Sequence, residues 1–301
     1  MSQDPAGASA DELAELSQLV GAPVLAAERR RWGFENDTRL VTLADGRLLI
    51  VQRLSVRAAA QRAIQLGYDL PERLAAVGLR TPRQLAADAS VAQPYAVREY
   101  IPGQIGASSM GDPAGVLMVA RAMGALLPQL ARVPAAGLGL ADDWADPRRL
   151  AHQAEQQLER CRALLGPAGS EQLRATIGQL REHFAGRPGV FAHGDFCPVN
   201  VLLEQGRATA LIDLEFARIA DRLFDVAWWG WVVRYHHPAG WAAAWPVLLE
   251  TAGITASAAN ATRVRILQQL RCLEMLDYHA HTPAAAASWA ERLHTTLAWD
   301  G

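Results

Sequence analysis

Along the chain, hydrophobic positions recur first every three to four residues, then every second residue, then every three to four again. That order predicts a helix, a β-rich segment and a long helical remainder. After a polar start, Leu13, Leu16 and Leu19 or Val20 mark one face of a short amphipathic helix from about Asp11. Residues 24–27, 40–43 and 48–54 read as strands, and Ala44-Asp45-Gly46-Arg47 between the last two supplies an Asp-Gly hairpin turn. A helical region follows over about 56–77, with breaks expected near Gly67 and Pro71 because glycine costs entropy and proline has no N–H to give. Asp112-Pro113 opens another helix, whose apolar residues recur from Val116 to Leu130. Helices are also predicted over about 147–165 and 170–184, and the last two over about 259–281 and 284–298.

One stretch breaks this alternation and carries chemistry. Apolar Val190, Phe191 and Ala192 lead into His193, Gly194 and Asp195, and Asn200 then precedes a second apolar run at 201–203. A polar turn at 204–207 comes before Ala210, Leu211 and Ile212, which end on Asp213. The pattern reads as loop, strand, tight turn and strand, with a carboxylate at the exit. Phosphoryl transfer from a nucleotide needs a carboxylate to hold the attacking hydroxyl and magnesium to neutralise the phosphates. Asp195 fits the first task. Asn200 and Asp213 offer hard oxygen ligands for the second, and a hairpin between them is the simplest way to bring them to one metal cluster. His193 is expected to hold the loop by packing and hydrogen bonding, since neutral imidazole is a poor magnesium ligand.

The run HGDFCPVNVLL followed by LIDLEFA resembles the aminoglycoside phosphotransferase and choline kinase superfamily, small-molecule kinases with a protein-kinase-like fold. Its pattern of His, Gly, Asp, four residues, Asn, a hairpin and Ile-Asp is filled throughout. Further on, ADRLFDVA at 220–227 resembles the segment that opens a long helix with a structural Asp, although Ala-Asp-Arg stands where Gly-Asp-Pro is usual. The resemblance implies an α+β, protein-kinase-like architecture. Residues 1–19 would be an N-terminal extension, 20–103 a small β-rich lobe for the nucleotide, and 104–301 a larger, mainly helical lobe for catalysis and the acceptor.

It also implies roles for single residues. Gly33 would lie in a loop over the phosphates, and the backbone of Glu99, Tyr100 and Ile101 would take the adenine edge before Pro102-Gly103 turns the chain. The third strand would carry a phosphate-contacting cation, normally lysine. Here that strand offers Arg53 or Gln52, of which Arg53 is preferred for its charge and planar fork, with Glu72 as its helix partner. Glu215 would add a supporting contact, and Glu274 and Asp277 on a late helix are candidates for an amino-bearing acceptor. Trp228, Trp229, Trp231, Trp241 and Trp245 read either as core or as a cage for a cationic amine.

Composition narrows the partners. All 29 fixed cations are arginines, because the chain contains no lysine. With a net charge of −2 and no basic stripe, nucleic acid is not expected as a partner. The N-terminus lacks a basic stretch leading into an apolar one, so a cytoplasmic protein without a membrane span is expected. Three widely spaced cysteines, Cys161, Cys197 and Cys272, fit reduced thiols. The expected protein, monomer or dimer, is an ATP- or GTP-dependent O-phosphotransferase using Mg2+, with an aminoglycoside-type antibiotic as the first choice of small-molecule acceptor. A metabolic kinase for choline, a sugar or an amino alcohol is the alternative, and a catalytically idle kinase-like binding protein is the alternative of another class.

Overall fold

The protein is described here by a computed structural model covering residues 8–30, 36–55 and 57–299. The chain divides into two compact units. The first is Met1–Gln104 with Leu202–Glu204 and Thr209–Glu215, and the second is Ile105–Val201, Gln205–Ala208 and Phe216–Gly301.

In the first unit, helix α1 (Ala10–Val20) starts where Ser9 accepts a hydrogen bond from the Glu12 N–H, and it ends at Gly21 in the left-handed region. Strands β1 (Val24–Arg30), β2 (Asp37–Leu43) and β3 (Leu48–Arg53) follow. Helix α2 (Arg57–Ala75), β4 (Gln84–Asp88) and β5 (Tyr95–Glu99) complete an antiparallel sheet in the order β1-β2-β3-β5-β4. Alternation sends Leu49, Val51 and Val97 to one face, where they join Val41, Leu43 and the fully buried Leu16 of α1 in a single core. Successive residues of β3 and β5 therefore belong to opposite faces.

Two expectations need correction here. Helix α2 runs unbroken through Gly67 and Pro71. A Cβ at Gly67 would meet Oε1 of Gln84 at 2.3 Å, and the Gln84 amide donates to the Ile64 carbonyl at 2.9 Å, so the glycine is the notch that admits β4 rather than a break. The sequence pattern also missed β4 itself. Its Gln-Leu-Ala-Ala-Asp has no β-branched or aromatic residue and is a strand only because β5 pairs with it.

The second unit is mainly helical. After β6 (Gln104–Ile105) come α3 (Pro113–Gly124) and α4 (Leu127–Leu130), then α5 (Pro147–Gly178), interrupted at Gly166 with φ 67°, and α6 (Leu180–Phe184). Strand β7 (Gly189–Ala192) leads into the loop of interest. The hairpin of β8 (Val201–Glu204) and β9 (Arg207–Leu211), most of whose strand residues belong to the first unit, turns on Gln205 and Gly206, both at positive φ. Strand β10 (Arg218–Asp221) pairs with β7, and α7 (Phe224–His236), α8 (Pro238–Thr251), α9 (Ala258–Tyr278) and α10 (Pro283–Leu297) complete the unit.

Pro113–Leu130 is apolar and long enough to match a membrane span by composition. It is divided between α3 and α4, and α3 packs against α8, with Gly240 seated on Val116. The buried ion pair of Asp221 with Arg263 ties β10 to α9.

Candidate active site

The loop after β7 is held from below by a carboxylate. Asp225, at the start of α7, is buried and accepts the backbone N–H groups of His193 at 2.8 Å and Gly194 at 3.1 Å. Burial pushes its carboxyl upward, while His193 and the two N–H donors pull the other way. Gly194 has φ 86°, and a Cβ there would lie 1.9 Å from the Phe216 carbonyl oxygen, so only glycine fits. The Gly194 carbonyl accepts from Arg271 at 3.2 Å. Buried His193 accepts the Asp195 N–H at its Nδ1, 3.3 Å away, so it braces the turn.

Asp195 is the half-buried member of this otherwise buried turn. Its Oδ1 accepts the indole N–H of Trp228 at 2.7 Å and its Oδ2 accepts the Asn200 amide at 2.7 Å. Asn200 also donates to the Asp195 carbonyl at 2.9 Å. The carboxylate is thus fixed at both oxygens by neutral donors, which orient it while leaving its charge uncancelled. Both amide hydrogens of Asn200 go to Asp195, so the carbonyl end of that side chain is the one free to meet a cation.

Asp213, in the first unit, follows β9 with φ 63°. The left-handed region is uncommon for a non-glycine residue, although Asp enters it more readily than most. Within the same unit Asp213 and Glu215 act electrostatically on Arg98 of β5. Burial lowers the pKa of that guanidinium and the two carboxylates hold it up.

Several residues picked from the sequence have other occupations. Arg53 lies on the α1 face of the sheet, paired with Glu15 at 2.8 Å and with Asp37 at 3.8 Å. Alternation in β3 puts it beside the core instead of on the face of Arg98, so it is not the cation that accompanies Asp213. Glu72 is exposed on α2, and Arg53 has its ion pairs elsewhere. Glu274 is engaged in a buried ion-pair network: Arg218 donates to it at 2.9 Å and Arg271 binds it from the same helix. Burial opposes its charge, but Arg218 and Arg271 outweigh that and hold its carboxyl down at about 2. Asp277 is taken by Arg160 through two hydrogen bonds of 2.7 Å.

The side chain of Glu99 binds Arg80 at 2.6 Å and Arg83 at 3.2 Å, and its N–H donates to the Arg83 carbonyl. Tyr100 and Ile101 follow β5 outside any helix or strand. Gly33 lies outside the described residues.

Sequence reasoning named Trp228 only as core or amine cage and missed its contact with Asp195, and it missed Arg218 and Arg271 altogether. Trp228 stands one helical turn after Asp225, so both lie on one face of α7, and that spacing was the available signal. Trp228 also stacks on Trp231 at 5.0 Å and lies 6.4 Å from Trp289, so it serves the core as well.

Residues 26–259 match the APH phosphotransferase enzyme family. The chain belongs to that family. It is a phosphotransferase with an alcohol group as acceptor. The fold is shared with macrolide 2'-phosphotransferase MphH from Brachybacterium faecium, at 20% identity over 94% of this chain and 97% of that one, with a TM-score of 0.69. It is also shared with APH(2")-IIia in its GDP and kanamycin complex, at 16% identity, 94% and 96% coverage and a TM-score of 0.71. A thermostable APH(4)-Ia mutant bound to ADP and hygromycin B matches at 16% identity, 95% and 97% coverage and a TM-score of 0.71. No functionally curated protein sequence matches significantly.

Proposed function

We propose that the protein transfers the terminal phosphoryl group of ATP or GTP to a hydroxyl of a small antibiotic of the aminoglycoside or macrolide kind. The observation that carries this reading is the clamped Asp195 carboxylate, held by Trp228 and Asn200 with its charge intact. Such a group aligns an acceptor hydroxyl and takes up its proton as the oxygen bonds to phosphorus and the bridging oxygen departs with the nucleoside diphosphate. Kanamycin and hygromycin B in the complexes of similarly folded proteins support the acceptor class. Three buried cysteines outside any disulfide fit work in the reducing cytoplasm.

The reading includes Mg2+ as cofactor, with Asn200 and Asp213 as its protein ligands. Each is suited on its own grounds: the amide oxygen of Asn200 is free of Asp195, and Asp213 follows β9 at positive φ. When bound, the ion would neutralise phosphate charge. Among the described residues no cluster of three or more His, Cys, Asp or Glu offers a different metal site.

Asp195→Ala tests the reading. Loss of a group aimed at the transition state costs about 3 kcal/mol, so turnover should fall by about a hundredfold or more while nucleotide affinity stays. A coupled assay over amino-sugars, macrolides, peptide antibiotics, choline and sugars identifies the acceptor. Undiminished turnover in the variant refutes the catalytic assignment, and turnover of choline or a sugar alone moves the protein to metabolism.

A further inference from the structure

The lysine-free chain leaves open which cation meets the nucleotide's phosphates, and β3 does not supply one on the relevant face. Strand pairing decides which residues share that face. Ile50 is paired with Arg98 and Gln52 with Ala96, so Arg98 and Gln52 lie on the side of the sheet turned away from α1. Two polar atoms there are buried without a hydrogen-bond partner, Nε of Arg98 and Oε1 of Gln52. An arginine cannot shed its proton to escape burial, and a buried, unsatisfied N–H carries a desolvation cost. Asp213 and Glu215 lie near enough to act electrostatically on that guanidinium. What remains is an unbonded donor of fixed positive charge beside the carboxylate that ends β9.

We propose that Arg98 of β5 is the phosphate-contacting cation of the nucleotide site, in place of a lysine on the third strand. The inference rests on the phosphotransferase reading above and deepens it. It moves the charge one strand over, from β3 to β5, on the same sheet face. Gln52, neutral on that face, leaves room for the longer arginine to serve instead. Arg98 is then a nucleotide-binding residue, whereas Arg53 ties α1 to the sheet.

The test compares binding of the magnesium nucleoside triphosphate with that of the matching nucleoside, which lacks phosphates, in the full chain. Losing a hydrogen bond between charged partners should weaken triphosphate binding of Arg98→Gln by about tenfold or more, with nucleoside affinity unchanged. Arg98→Lys should keep most of the affinity, and Gln52→Lys added to Arg98→Gln should restore much of the loss by returning a cation to the same face. Equal weakening of nucleoside and triphosphate would show a merely structural role and overturn the proposal, as would triphosphate affinity within twofold of wild type.

Should Arg98→Gln fail to fold, Gln52→Glu keeps the question open to decision. A negative charge beside Arg98 must raise the triphosphate KM and spare nucleoside binding, and an unchanged KM refutes the assignment. Failure of wild-type protein to bind any triphosphate would instead sink the phosphotransferase reading, so the two failures are distinct.

Discussion

The indole N–H of Trp228 donates to Oδ1 of Asp195 at 2.7 Å, so a carboxylate on the loop after β7 is aimed by a side chain from helix α7. Asn200 holds the other oxygen from the loop itself, at 2.7 Å. The carboxylate's direction therefore depends on α7 as much as on the loop that carries it.

Removing only that donor should expose its contribution. A hydrogen bond to a charged group contributes about 1.5–3 kcal/mol, so Trp228→Phe is expected to lower kcat by roughly tenfold to a hundredfold while leaving the nucleotide KM nearly unchanged. Steady-state kinetics with both substrates varied check it. A change in nucleotide KM with kcat intact would contradict the role.

Gly194→Ala should inactivate the enzyme. The added Cβ would lie 1.9 Å from the Phe216 carbonyl, and φ 86° is a region that alanine enters only with strain. Backbone cannot yield cheaply there, because Asp225 and Arg271 hold both sides of the residue. We expect loss of turnover and a lowered Tm, measured by the coupled assay and by thermal unfolding.

Glu274 makes acid stability predictable. Its carboxyl is held at about 2 against an ordinary value of 4.5, so its contribution is complete above about pH 4.5 and disappears as pH falls toward 2. Integrated over that interval the contribution is about 3 kcal/mol. Denaturant unfolding from pH 5 to pH 2 should show wild type losing this increment. Glu274→Gln should lack it throughout and be destabilised at neutral pH, since Arg218 and Arg271 are left buried without their counter-charge.

Asp277→Ala should by contrast change little. Its partner Arg160 is 56% exposed, and such pairs contribute no more than about 1 kcal/mol. The acceptor KM for amino-bearing substrates should stay at the wild-type value, and a marked increase would return Asp277 to the acceptor site.

Much of the fold could be read in advance because its signals are local. The period-two runs of β1 to β3, the Asp-Gly turn and the Asp112 and Pro147 helix starts depend on residues a few positions apart. Strand β4 did not announce itself, since its alanines are held by pairing with β5. The ion pairs of the two late carboxylates were not legible either, because Arg218 and Arg160 come from distant segments.

By itself the sequence determined the family, the α+β order of elements and the loop of His193, Gly194, Asp195 and Asn200, since spacing along one segment is covalently fixed. Only the tertiary structure decided which side chains serve them. Strand register sends Arg53 to the α1 face and Arg98 to the opposite one, and the packing of α7 brings Trp228 to Asp195. Facing and pairing are set by neighbours that lie far away in the chain, and a linear pattern carries no record of them.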